Sequence, residues 1–152
     1  MSWKTNCYNA LNSAKLFQDS GHRSRFKELI DCYGNYPFFS RGLCKCMYLS
    51  AWDEEHFCIL LGMLTTMSLD QETSTAEMRI QGDVLASRQN DEEYYIYQLS
   101  ISFLDNQPFH LDNNANIGPE TMYIIQCALQ AAEIIDTVSD QTESVPVSSA
   151  NL

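Results

Sequence analysis

Apolar residues recur at helical spacing along most of this chain, and nearly every such stretch opens on a capping residue or a proline. Ser2 precedes Trp3, Cys7, Leu11 and Ala14, with Tyr8 and Phe17 beside them. Phe26, Leu29, Ile30 and Tyr33 share one face of a stretch over 22–33, and Ser40 precedes Leu43, Met47 and Tyr48. This periodicity predicts amphipathic helices, because residues three and four apart lie on the same side of an α-helix. Gly21 and Gly34 are placed to end the first two helices, and Asn35-Tyr36-Pro37 to turn the chain.

The next signals extend the pattern. Asp53 suits an N-cap, and Glu54 and Glu55 suit the positive end of the helix that follows. Phe57 to Met67 is apolar nearly all round, which marks it as the expected central, buried helix. Ser74-Thr75-Ala76-Glu77 is a capping-box pattern ahead of Met78, Ile80, Val84 and Leu85, weakened by Gly82. Gly118-Pro119-Glu120 opens the clearest helix, with Met122, Ile125, Leu129, Ala132 and Ile135 on its face.

One stretch reads two ways. Tyr95, Tyr97, Leu99, Ile101 and Phe103 alternate as a strand would, yet Asp91, Glu92 and Glu93 make a good helix start and Tyr94, Tyr97, Ile101 and Leu104 fit a helical face. A strand needs a partner strand, and none is evident, so the helical reading is preferred. The expected fold is mainly α, a compact bundle of six or seven short helices. An α+β fold with a strand around 94–103 is the alternative. The 152 residues, 45 % of them hydrophobic, fit one domain. From Thr137 on there is no aromatic residue and no Lys or Arg, so a globular domain over 1–136 with a flexible acidic, Ser-rich tail over 137–152 is expected.

Composition narrows the class. The longest apolar run, Phe57 to Leu64, is too short to span a bilayer, and the first residues do not read as a secretory signal. The six cysteines (7, 32, 44, 46, 58 and 127) sit among core-type neighbours in a chain apolar enough to fold without staples. They read as reduced, mostly buried thiols, and the protein as cytoplasmic.

Charge is divided. Residues 1–52 carry seven Lys/Arg (4, 15, 23, 25, 27, 41, 45) against three Asp/Glu (19, 28, 31), a net of +4. Residues 53–152 carry two Lys/Arg (79, 88) against seventeen Asp/Glu, a net of −15. Without clustered cations to neutralise phosphates, direct nucleic-acid binding is disfavoured. An acidic surface lacking Lys and Arg after Arg88 favours instead a basic protein partner, which it would attract at long range.

Chemical motifs are weaker. Cys44, Cys46, His56 and Cys58 carry zinc-type donors at spacing unsuited to a knuckle, and thiols packed in a core explain them better. Asp112 begins a loop like that of an EF-hand, but Ile117 stands where the glycine belongs and Tyr123 where the bidentate Glu belongs. Asp53 and His56 share a helical face, as in the paired ligands of di-iron bundles, without a second pair. No nucleophile elbow or phosphate-binding glycine loop is present. The cluster His22-Arg23-Ser24-Arg25-Phe26-Lys27 opens a helix against the dipole and is a candidate anion contact.

The function expected from these observations is a non-enzymatic acidic binding module, of inhibitor, immunity, antidefence or adaptor type, with no cofactor. Its candidate binding residues are Arg23, Arg25, Lys27, Asp91, Glu92, Glu93, Asp105 and Asp112. The alternatives are a small Cys/His metal-binding enzyme or sensor, and a self-associating protein in which the basic front of one chain meets the acidic part of another.

Overall fold

The computed structural model describes residues 3–69, 91–111 and 116–150. They form six helices: α1 (Trp3–Ser13), α2 (Ser20–Tyr33), α3 (Arg41–Ser50), α4 (Glu54–Leu69), α5 (Asp91–Asp105) and α6 (Pro119–Ala150). There is no strand among the described residues. The fold is the mainly helical bundle that the periodicity implies. The stretch of alternating Tyr, Leu, Ile and Phe is helix α5, so the α+β alternative does not apply. The capping box at 74–77 and Asp112 lie outside the described residues.

Caps fix where the helices begin. The Ser40 hydroxyl accepts from the Leu43 N–H at 3.1 Å, and the Asp53 carboxylate accepts from the His56 N–H at 2.8 Å. Asp19 caps α2 by accepting from the His22 N–H at 2.7 Å. That cap moves one boundary. Gly21, expected to end the first helix, lies in the first turn of α2; α1 ends at Ser13, with Lys15 in the left-handed region in the connection. Gly34 does cap α2, donating its N–H to the Ile30 carbonyl at 2.8 Å.

The central helix is α3, not α4. Every residue from Gly42 to Leu49 is buried, and α2, α4, α5 and α6 all pack on α3. Small residues explain this. Gly42, Cys44 and Cys46 thin the helix on several sides, so that neighbours approach closely. A Cβ added at Gly42 would stand 2.5 Å from the Phe103 carbonyl oxygen and 3.3 Å from the Leu104 Cα, so α3 and α5 meet there backbone to backbone. Lys45 disguises the helix in sequence as amphipathic. Its side chain is only 7 % exposed, and its ammonium reaches Asp136 of α6 at 2.9 Å. The more apolar α4 lies at the periphery, with Cys58, Ile59, Gly62 and Thr65 exposed.

Helix α6 crosses α1 and α3. Ile125, Ala128, Ala132, Ile135 and Ser139 are buried along one seam, three or four residues apart. The helix continues past residue 136, where the composition changes. Ser139 is buried, and Asp140 pairs with Arg41 at 2.9 Å.

A buried histidine ties the front of the bundle together. His22 has no exposed surface. Its Nδ1 accepts from the Gln18 N–H at 3.0 Å and its Nε2 donates to the Tyr48 carbonyl at 2.9 Å, so both ring nitrogens are satisfied in the neutral form. Phe17, Tyr48 and Trp52 surround the ring.

Two glycine substitutions separate backbone crowding from helix propensity. Gly42→Ala is expected to destabilise the chain by about 1–3 kcal/mol, because the methyl group must push α3 from α5. Gly62→Ala meets open space on α4 and is expected to stabilise by about 0.5–1 kcal/mol. Urea denaturation of the two variants beside the parent measures both signs.

Candidate functional site

Three helices begin at one end of the molecule. The amino-terminal turns of α4, α5 and α6 come together there, and each brings carboxylates to its own positive dipole end: Asp53, Glu54 and Glu55 for α4, Glu92 and Glu93 for α5, Glu120 for α6. Asp91 opens α5 at the same end.

His56 joins two of the helices. Its Nδ1 lies 2.8 Å from Asp53, and its Nε2 lies 2.7 Å from Glu93 across the gap to α5. A ring with a carboxylate on each nitrogen can donate to both only as the imidazolium. The Glu93 hydrogen bond, with that of Asp53, outweighs burial and raises the His56 pKa to about 9. Glu92 joins the second pair of helices. Its carboxylate accepts from the Gly118 N–H at 3.0 Å, and hydrogen bonds from Thr121 and from that N–H hold its pKa below the ordinary value.

Beneath this acidic end runs a groove with a cavity of about 290 Å³. Helix α3 supplies the floor through Cys46, Leu49 and Ser50. Ile59, Leu60 and Met63 of α4 form one wall, and Ile96, Tyr97, Ser100, Ile101 and Leu104 of α5 the other. The groove exists because α4 and α5 each pack on α3 but, among the described residues, share no packed face beyond the His56–Glu93 bridge. Its size is near the lower end of ligand-sized pockets. Tyr94 and Tyr123 stand exposed by 48 % and 59 %, and Tyr123 makes an edge contact with Trp52 at the groove's end.

The structure gathers some of the sequence-derived candidates and separates others. Asp91, Glu92 and Glu93 belong to the acidic end. Asp105 closes α5 at its opposite end, about 20 Å away at 1.5 Å per residue. The members of the basic cluster are each engaged within the fold. His22 is buried and neutral. Arg25 donates to the Ala51 and Trp52 carbonyls at 2.8 and 3.0 Å, closing the carboxyl end of α3. Arg23 donates to the Asn12 side chain, and Lys27 pairs with Asp31 one turn on.

The metal candidates are also dispersed. Cys44 is fully buried beside Cys7, and its hydrogen bond to that thiol, then burial, raise its pKa well above the ordinary value. Cys46 donates to the Ser100 carbonyl at 3.4 Å, with burial pushing its pKa up to about 12. Cys58 is exposed on α4, whereas Cys44 and Cys46 are buried on α3. Among the described residues no group of three or more His, Cys, Asp or Glu is placed to hold a metal ion. The sequence signal that did find part of the site was the spacing of Asp53 and His56. Glu93 as the third member, and the α4–α5 groove, depend on packing that no local pattern encodes.

Compared with protein-family models, characterised proteins and solved structures, the chain matches none of them. No described helix is long and apolar enough to cross a membrane.

The two histidines give stability opposite pH limbs. His56 has a raised folded-state pKa, so its contribution is complete below the unfolded value of 6.5 and is lost as pH rises through about 9. His22 is lowered by burial to about 4, so its contribution is present above 6.5 and is lost as pH falls towards 4. Urea denaturation across pH 6.5–9 is expected to show a decline of about 1–3 kcal/mol, discounted for the part-exposed carboxylates. His56→Gln should flatten that limb and leave the acid limb in place.

Proposed function

We propose that the protein is a non-enzymatic binding module whose acidic end receives a basic segment of a partner protein. The observation that carries this reading is the unequal use of charge. All but one of the cations of the described residues are engaged within the fold: Lys4 on Gly34 and Asn35, Arg23 on Asn12, Arg25 on the end of α3, Lys27 on Asp31, Arg41 and Lys45 on Asp136, with Lys15 left exposed in the connection after α1. Glu54, Glu55 and Glu120 make no ion pair among the described residues, and they project from one end of the bundle. The field outside that end is therefore negative, which raises the encounter rate with a cationic surface and selects against an anionic one. Exposed Tyr94 and Tyr123 beside it supply the amphipathic contact area on which protein interfaces commonly depend.

A Lys/Ala helical peptide and a Glu/Ala peptide of equal length serve as probes. Fluorescence anisotropy at low and high salt is expected to show binding of the Lys/Ala peptide alone. The affinity should fall at least about tenfold as salt shortens the screening length below roughly 10 Å. The triple variant Glu54→Gln, Glu55→Gln, Glu120→Gln should weaken binding by a similar factor while leaving circular dichroism unchanged. Equal binding of the two peptides, or binding indifferent to salt and to the triple variant, would overturn the reading.

A further inference from the structure

Resting on that reading, we infer that the partner segment is an amphipathic basic helix that lies along the α4–α5 groove, its apolar side chains in the cavity and its Lys or Arg side chains on the acidic end. The argument begins with the shape of the groove. Two helices stand on a common floor without packing on each other, and the space between them is lined mainly by Ile59, Met63, Ile96, Ile101 and Leu104. From Glu93 to Leu104 the α5 wall runs about 17 Å, the length of roughly three helical turns. A groove of that length flanked by two helices suits the apolar stripe of a third, which presents a side chain every three or four residues.

Charge then selects the occupant. No Lys or Arg lines the groove, and its one cation, His56, is already held between Asp53 and Glu93. Asp53, Glu55, Glu92 and Glu93 all border the same end. An acidic helix would bring its charges against these carboxylates and against Glu54 and Glu120 beside them, and an uncharged one would leave Glu54, Glu55 and Glu120, which make no ion pair among the described residues, uncompensated. A basic helix meets both the apolar walls and the charged end. It also meets the helix dipoles correctly if its carboxyl end faces elsewhere, since the amino ends of α4, α5 and α6 are already matched by their own carboxylates.

The test compares a Lys/Leu amphipathic peptide with the Lys/Ala peptide of the same charge. Binding is read by anisotropy and by Trp52 emission in a Trp3→Phe background, because Trp52 lines the cavity. The Lys/Leu peptide is expected to bind at least about tenfold more tightly and to shift Trp52 emission to the blue. Ser100→Leu, which fills the cavity, should abolish that advantage and leave Lys/Ala binding unchanged. If Ser100→Leu perturbs folding, Ile59→Ser trims the exposed edge of the wall and should reduce the advantage instead. Equal affinity for the two Lys peptides overturns the groove and leaves the charge reading standing. Failure of the Lys/Ala peptide to bind overturns the charge reading itself. A Glu/Leu peptide that binds as well as Lys/Leu overturns the basic occupant, and a chain dimer in sedimentation that is lost in Ser100→Leu and that excludes the Lys/Leu peptide overturns it in favour of a second copy.

Discussion

A lysine-bearing helix buried on all sides is the constraint around which this bundle is arranged. Helix α3 can occupy the centre only if its neighbours come close to its backbone and if the charge of Lys45 is met inside the fold. Gly42 provides the close approach to α5, and Asp136 on α6 provides the counter-charge. An ammonium removed from water without a partner would carry a desolvation cost of several kcal/mol. The position of α6 is thus set by chemistry as well as by apolar burial, and Arg41 extends the same linkage to Asp140. With α6 and α5 placed on α3, α4 is left on the remaining side. The opening between α4 and α5 follows from that arrangement.

The same economy of charge separates the two ends of the sequence in function. Basic residues near the amino terminus are placed to finish helices. Arg25 satisfies the carbonyls of Ala51 and Trp52, where the last turn of α3 would otherwise present acceptors without intrahelical donors. Acidic residues later in the chain begin helices, where the dipole and the unpaired N–H groups favour them. Both uses are ordinary helix chemistry. They produce an excess of negative charge at one end because three helices happen to start together there, whereas the cations are spread over caps and ion pairs elsewhere.

The parts of the fold that were readable in sequence are those that local chemistry determines. The capping hydroxyl of Ser40, the carboxylate of Asp53 and the proline at the start of α6 mark helix starts without reference to anything distant. The identity of the central helix was not readable in this way. Phe57 to Met67 is more apolar than α3, and Lys45 makes α3 look half solvated; only the distant Asp136 removes that appearance. The site divides along the same line. Asp53 and His56 are three residues apart and announce their pairing, while Glu93 reaches His56 across a gap closed by the packing of α4 and α5 on α3. The basic cluster at 22–27 divides along the same line. Its members are adjacent in sequence but point to Tyr48, Asn12, Ala51 and Asp31, each a different structural task.

The acidic end is stable as an acidic end only because its charges are partly answered from within. Each helix start contributes about half a positive unit at its N–H groups, and His56 adds one more. Set against Asp53, Glu54, Glu55, Asp91, Glu92, Glu93 and Glu120, these leave roughly four to five negative charges in excess. The balance is unevenly placed. Asp53, Glu92 and Glu93 are engaged by His56, Gly118 and Thr121, whereas Glu54, Glu55 and Glu120 face outward. Inner carboxylates therefore hold three helices together while outer ones set the field beyond that end of the bundle. In the proposed complex, a cationic helix in the groove would relieve the outer repulsion at Glu54, Glu55 and Glu120 without displacing any inner bond, so that docking would draw mainly on carboxylates that the fold itself does not use.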